Sequence, residues 1–368
     1  MIEGLVLLLV FQLLGNVAEM YFHLPVPGSV LGMFLLLVAL IANDRLASWV
    51  RPISLVLISY LAVLFVPAGV GIMLHIDRLK NEALPIGVSL VVSTILTIAV
   101  TALVIKYSTI CRNAKNGRRQ GMNNIDFHGI EEIWSSLSTS SLLWLTVTLA
   151  AYLFAQKLYK WSNWNSLLNP VAVSIVTVVL LLMATHTPYQ TYFSGAQFIH
   201  FLLGPTTVAL AVPLYDLRIQ LAKNWLPILL GLFAGAFTAI TSTVLIAGLL
   251  GASPETIISL APKSVTTPIA MSIAEKLGGL PALSASLVVL TGVLGSICAG
   301  PLFLLLKVDS SSAKGFALGL SAHGMGTSRA FQIDSTAGAY GSLAIGLTGL
   351  TTALLAPLLT PLLMKIFF

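Results

Sequence analysis

The chain has 368 residues, 57% hydrophobic and only 9% charged, with a mean hydropathy of +0.95. An ordinary soluble domain carries roughly 25% charged residues, and so much apolar surface cannot be hidden from water in one core; an all-α, multi-pass membrane protein is expected. The net charge of +6 is no nucleic-acid signature, because much of the basic excess gathers in one linker, as it does in cytoplasmic loops of membrane proteins.

Met1-Ile2-Glu3 leads at once into an apolar run, which reads as an uncleaved first helix. Four spans are predicted at about 4–22, 25–43, 52–74 and 84–107, each long enough to cross a bilayer. The only markedly polar stretch follows, with Arg112, Lys115, Arg118 and Arg119, an Asn/Gly-rich run to Asn124 and an amphipathic tail from Ile125 to Trp134. The expected organisation is thus a four-helix membrane segment over 1–108, a basic cytoplasmic linker over 109–134 and a second membrane segment over 135–368. Placing the linker inside the cell puts the N-terminus, Asp44, Arg45 and Arg51 inside and His75–Glu82 outside. Cys111 lies in the linker and Cys298 in a span, so no disulfide is expected.

The second segment holds roughly eight hydrophobic stretches, for about 12 transmembrane helices in all, several of them discontinuous. Lys157 and Lys160 fall on the outer side by this count, against the positive-inside tendency. A re-entrant segment between about 186 and 205 would reverse the sidedness of all that follows.

Two stretches combine helix breakers, hydroxyls and cations between apolar flanks: Leu260–Met271, with Lys263, Ser264, Thr266 and Thr267, and Leu320–Phe331, with His323, Thr327, Ser328 and Arg329. Non-helical backbone at membrane depth persists only where protein or a watery cavity satisfies it. A cation there is costly and usually functional, and the N-terminal ends of broken helices favour anions. The stretches echo each other at a constant offset of 60 positions: Lys263 with His323, Thr267 with Thr327, Ala270 with Ala330, and upstream Gly235 with Gly295. This suggests an internal repeat. One span, about 281–306, separates them, so an inverted pair would require one to be re-entrant. A third broken stretch, Phe201–Tyr215, sets Thr206 and Thr207 beside Gly204-Pro205.

Each residue also has a structural reading. Lys263 could snorkel to an interface, His323 could bond a carbonyl, and Arg329 could pair with Asp334 or with lipid headgroups. The hydroxyls could repair freed backbone groups in kinked helices. Gly231–Gly235 and Gly315–Gly319 have the small-xxx-small spacing of closely packed membrane helices. In the first segment, Leu24–Met33 and Phe65–Gly71 place Pro and Gly in or beside spans without charge, which favours plain packing.

These motifs resemble known families. Leu24–Met33, with its Pro-Val-Pro-Gly-Ser core, and Leu64–Met73, with Pro67-Ala-Gly-Val-Gly71, resemble the LrgA/CidA holin-like family. Phe201–Tyr215, Pro262-Lys-Ser-Val-Thr-Thr-Pro-Ile-Ala-Met271 and His323-Gly-Met-Gly-Thr-Ser-Arg-Ala330 resemble the LrgB/CidB family, Met325 standing where an isoleucine-like residue is more usual. Their fusion is similar to the plastidal glycolate/glycerate translocators. The resemblance implies secondary transport of small monocarboxylates (glycolate or glycerate, with pyruvate and lactate next). A looser likeness to the bile-acid and arsenite transporter superfamily implies broken helices and one bundle moving against another. The LrgA/CidA likeness implies the alternative, a holin-like pore or regulator of murein hydrolase export and cell lysis.

The residues agree with an anionic substrate. Lys263, His323 and Arg329 can meet a carboxylate; Ser264, Thr266, Thr267 and Thr327 can meet its 2-hydroxyl; and a titrating His could couple proton movement. The expected substrate-binding set is Lys263, Ser264, Thr266, Thr267, His323, Thr327, Ser328, Arg329, Thr206 and Thr207. No cofactor or metal is expected, and no enzymatic activity: the six His are scattered and there is no Cys pair or His-Glu-x-x-His. The expected partners are the carboxylate with a coupled proton or sodium ion, the lipid bilayer and a second copy in a homodimer, with no nucleic acid. The expected location is a bacterial inner (plasma) membrane, or a plastid inner envelope for a trimmed organellar form.

Overall fold

A computed structural model describes residues 1–22, 28–108, 141–162 and 168–368. Pro25 and Pro27, the basic linker with Cys111, and the tail from Ile125 to Trp134 lie outside the described residues. Within them every regular element is a helix, as expected of a chain whose backbone must satisfy itself away from water.

The first segment comprises α1 (Ile2–Phe22), α2 (Gly28–Ala42), α3 (Arg45–Ser59), a series of short turns, and α6 (Ala83–Ser108). The short pieces are a 3-10 turn at Val63–Phe65, α4 (Val66–Val70), a second turn at Gly71–His75 and α5 (Ile76–Asn81). The expected span 52–74 is therefore two parts of a broken element: α3 begins earlier, at Arg45, and the chain bends by 61° before Val63–Asn81. Pro67, Gly69 and Gly71 account for the short pieces, since each resists a continuous helical ladder.

The second segment runs α7 (Ser141–Trp161), α8 (Pro170–Ala184), α9 (Tyr189–Phe201), α10 (Leu203–Ala209), α11 (Ala211–Asp216), α12 (Arg218–Lys223), α13 (Trp225–Leu249), α14 (Pro254–Leu260), α15 (Thr267–Leu277), α16 (Pro281–Leu305), α17 (Ser311–Ile333) and α18 (Ser335–Met364). Starts are written in the sequence. The Asn169 side chain accepts from the Val171 N–H at 2.9 Å and Asp334 from the Ala337 N–H at 2.7 Å, while Pro254, Pro268 and Pro281 occupy first turns. Of the stretch at about 186–205, weighed as re-entrant, the part from Tyr189 on belongs to one apolar helical run of 28 residues, Tyr189–Asp216, made of α9–α11.

Among the described residues seven helices are long and apolar enough to cross a membrane, or eight with the bent pair in the first segment. The other apolar stretches of the sequence correspond to α2 and α8, 15 residues each, to the α14–α15 pair, and to α17, which carries too many polar groups. α17 and α18 pack backbone to backbone: a Cβ on Gly315 would fall 2.0 Å from the Ala337 carbonyl oxygen, and one on Gly319 2.2 Å from that of Gly341. Gly231 and Gly235 instead make room for side chains where α13 meets α6, those of Ile105 and Thr101. Thus α6, from the first segment, is built into the core of the second, against α13, α16 and α17.

Candidate functional site

The first predicted stretch is a true break. α14 ends at Leu260, residues 261–266 belong to neither helix, and α15 starts at Thr267. Ala261 still has helical angles (φ −52°, ψ −46°) and bonds Ile257 O, but Pro262 has no N–H to continue the ladder; two tight turn bonds, Lys263 N–H to Leu260 O (3.0 Å) and Val265 N–H to Pro262 O (3.2 Å), carry the chain through. Thr266 stands extended before α15 without bonding its end (φ −67°, ψ 150°), and Pro268 lies in the first turn.

Lys263 is wholly buried in this break, 0% exposed. It does not snorkel. Its ammonium donates to the Thr94 hydroxyl of α6 at 2.9 Å, and no carboxylate pairs with it among the described residues.

The second stretch breaks α17 at Ala322 (φ −131°, ψ 19°) and His323 (φ 42°, ψ −132°). A non-glycine residue at that positive φ is strained and persists only where its surroundings hold it. His323 is 1% exposed; Nε2 donates to the Val288 carbonyl of α16 at 3.0 Å, and the Phe65 ring meets the imidazole edge-on at 5.6 Å. The carbonyl bond foreseen as a structural role is therefore present, and it leaves Nδ1 without a protein partner among the described residues.

The two breaks meet around α6 and α16. A Cβ on Gly295 would lie 2.6 Å from the Ala322 methyl and 3.4 Å from the Thr94 methyl, so one glycine lets the break of α17 and the partner of Lys263 approach the same point. Lys263 and His323 are close enough to interact electrostatically. Near them, the buried hydroxyls of Ser264 and Thr266 have no partner among the described residues, whereas most buried polar atoms in proteins are bonded. Thr267 is half-buried as the first residue of α15.

The remaining expected residues are elsewhere. Thr327 is buried and unbonded, but its hydroxyl is directed to Gly341 of α18. Thr206 and Thr207 sit on α10, which packs on α1, α2 and α3; the Thr207 hydroxyl repairs the backbone by donating to Leu203 O at 2.7 Å. Ser328 and Arg329 line a separate cavity. Arg329 does not pair with Asp334, which caps α18 and accepts from Ser311; its Nη1 donates to the Tyr159 hydroxyl (2.9 Å) and Gln332 Oε1 (2.8 Å). This cavity is a cleft of about 550 Å³ walled by α3, α7, α11 and α17, narrowing to a recess of about 20 Å³ beside Ser296, Met325, Ser328 and Arg329. The Met325 side chain lies against Gly292, as does the His323 ring, so it separates the recess from the break.

Thr94 and Phe65 escaped the sequence reading because both belong to the first segment. One signal was present: Ser89, Ser93, Thr97 and Thr101 recur every fourth residue of α6, all buried, as a polar stripe along an otherwise apolar span.

The comparisons with known proteins match two families along the chain. Residues 148–362 match the LrgB-like family and residues 12–105 the LrgA family. The uncharacterised protein YwbG of Bacillus subtilis is 39% identical over 215 residues, 58% of this chain and 95% of that protein. An uncharacterised protein of Haemophilus influenzae is 35% identical over 216 residues, 58% of this chain and 93% of its own. The holin-like protein CidB of Staphylococcus aureus is 29% identical over 219 residues, 60% of this chain and 95% of its own. No solved structure matches. With more than half its length matched, and with the helical membrane architecture that length describes, the chain belongs to the LrgB-like family, carrying an LrgA-family segment ahead of it in the same polypeptide.

Proposed function

We propose that this protein is a secondary transporter of small hydroxy-monocarboxylates of the glycolate and glycerate type, binding them between the two helix breaks. The observation that carries the reading is Lys263: an ammonium completely removed from water, held by one neutral hydroxyl and, among the described residues, by no acid. An unpaired buried charge is so costly that it implies a counter-charge in the working cycle. A carboxylate supplies it, and Ser264 and Thr266 lie beside it with unused hydroxyls. The first turn of α15 adds N–H groups suited to an anion. His323 Nδ1, opposite a donating Nε2, carries a lone pair when the ring is neutral and can accept the proton of a 2-hydroxyl. Proton or sodium coupling, a homodimer and a bacterial inner (plasma) membrane location belong to the same proposal, as does transport without an enzymatic reaction.

The test is uptake of labelled glycolate by proteoliposomes. Uptake should saturate, show counterflow with glycerate, and vanish in Lys263→Ala although that variant still elutes as a folded species. Normal transport by Lys263→Ala would refute the site. The name of the CidB relatives, holin-like proteins, favours a second reading, a holin-like pore; non-saturating passage of unrelated solutes in the same vesicles would support it instead.

A further inference from the structure

The cleft has a chemistry that the buried site does not use. Two cations line it: Lys160, near the end of α7, and Arg329 in its inner recess. The one acid in its wall, Asp216, is already taken by Arg51, whose two guanidinium nitrogens donate to the two carboxylate oxygens at 2.6 and 2.7 Å. Arg329 has no acid partner among the described residues. Tyr159 and Gln332 occupy both hydrogens of its Nη1 and so fix the plane of the guanidinium. The opposite edge, Nε and Nη2, has no protein acceptor among the described residues. That edge is the fork that takes a carboxylate through two parallel hydrogen bonds. The cavity sizes add a second argument: the cleft of about 550 Å³ admits a two- or three-carbon acid, but the recess of about 20 Å³ holds a single water-sized group. A ligand in the cleft therefore stops at the mouth of the recess, where the Arg329 fork faces it, and Met325 lines that recess.

We propose that Arg329 is an outer docking station for a small carboxylate, distinct from the buried Lys263 site and reached before it. The ligand's two oxygens take the Nε–Nη2 edge and Lys160 supplies attractive potential at the mouth. The inference rests on the transport reading above, and its test does not require transport. Cysteines are introduced one at a time on two elements lining the cleft, Gln156→Cys on α7 and Ser59→Cys on α3, in full-length protein with Cys111→Ala and Cys298→Ala. Each is labelled in detergent with an anionic (sulfonate) and a cationic (trimethylammonium) methanethiosulfonate. The anionic reagent should react about tenfold faster, as in a cleft lined by one sign of charge. Glycolate should slow that reaction saturably, about tenfold at ten times its half-protecting concentration.

Arg329→Gln should abolish both the preference and the protection. Arg329→Lys, which keeps the charge, should retain the preference and lose most of the protection. Equal rates for the two reagents, or undiminished protection in Arg329→Gln, would overturn the proposal. So would protection by phosphatidylglycerol but not by glycolate, which would make Arg329 a lipid-headgroup contact. Lys263→Ala separates the two ideas. It should lose transport and keep cleft protection, whereas lost protection with intact transport in the otherwise unaltered protein sinks the outer station alone.

Discussion

At the scale of single residues, the site is made of groups that weaken the fold. Lys263 is desolvated without an acid, and replacing buried charges by apolar groups of like volume often stabilises proteins by about 1–4 kcal/mol. Lys263→Met is therefore expected to raise the thermal midpoint while abolishing saturable uptake; a lowered midpoint would show that the ammonium holds the break together. Thr94→Val removes the acceptor of the Lys263 ammonium while keeping the side chain's shape. A hydrogen bond to a charged group is worth about 1.5–3 kcal/mol, so uptake at limiting glycolate should fall at least tenfold, read as initial rate in proteoliposomes. His323 holds a backbone conformation that glycine accepts more readily (φ 42°). Comparing melting of His323→Ala and His323→Gly should find the glycine variant the more stable by about 1 kcal/mol.

At the scale of elements, the candidate site is built on helices that stop. Pro262 and Pro268 make the first break visible in the sequence; the second, inside Ala322–His323, lacks proline and shows only as His323 followed by two nearby glycines. Close packing of α18 supports the broken α17. Gly319→Val would drive a branched side chain into the Gly341 carbonyl, with loss of folded protein in detergent as the expected outcome. Gly87→Ala in α6 is the control: nothing lies within 4 Å of the added methyl, and in a helix interior it should be neutral or stabilising by up to about 1 kcal/mol. Comparable loss in both variants would mean that backbone approach is not what joins α17 to α18.

At the scale of the molecule, the two segments are interlocked. Arg51–Asp216 and Arg78–Glu255 each join the first to the second, as do the Glu82 bonds to Ser253 and the Thr94–Lys263 bond. The ion pairs are half-exposed and individually worth little, within about 1 kcal/mol; burial of α6 between α13, α16 and α17 is the larger bond. A chain split within the polar linker should accordingly copurify as two pieces through a tag on either one and still transport glycolate. Separation of the pieces in mild detergent would show that the covalent link is essential.

The amino-acid sequence by itself determined the class, the helical content and the two stretches that interrupt their helices, because these follow from hydropathy and backbone chemistry over short distances. Lys263 was legible for the same reason: a cation beside proline in an apolar run is a local anomaly. Only the tertiary structure decided which candidates share a site. It brought Lys263 and His323 together, sent Arg329 to the cleft and Thr206 and Thr207 to the packing of α10, and drew Thr94 and Phe65 in from the first segment. Those outcomes turn on which helices touch, and contacts between residues some 170 positions apart, as for Thr94 and Lys263, leave no mark in the local pattern of either.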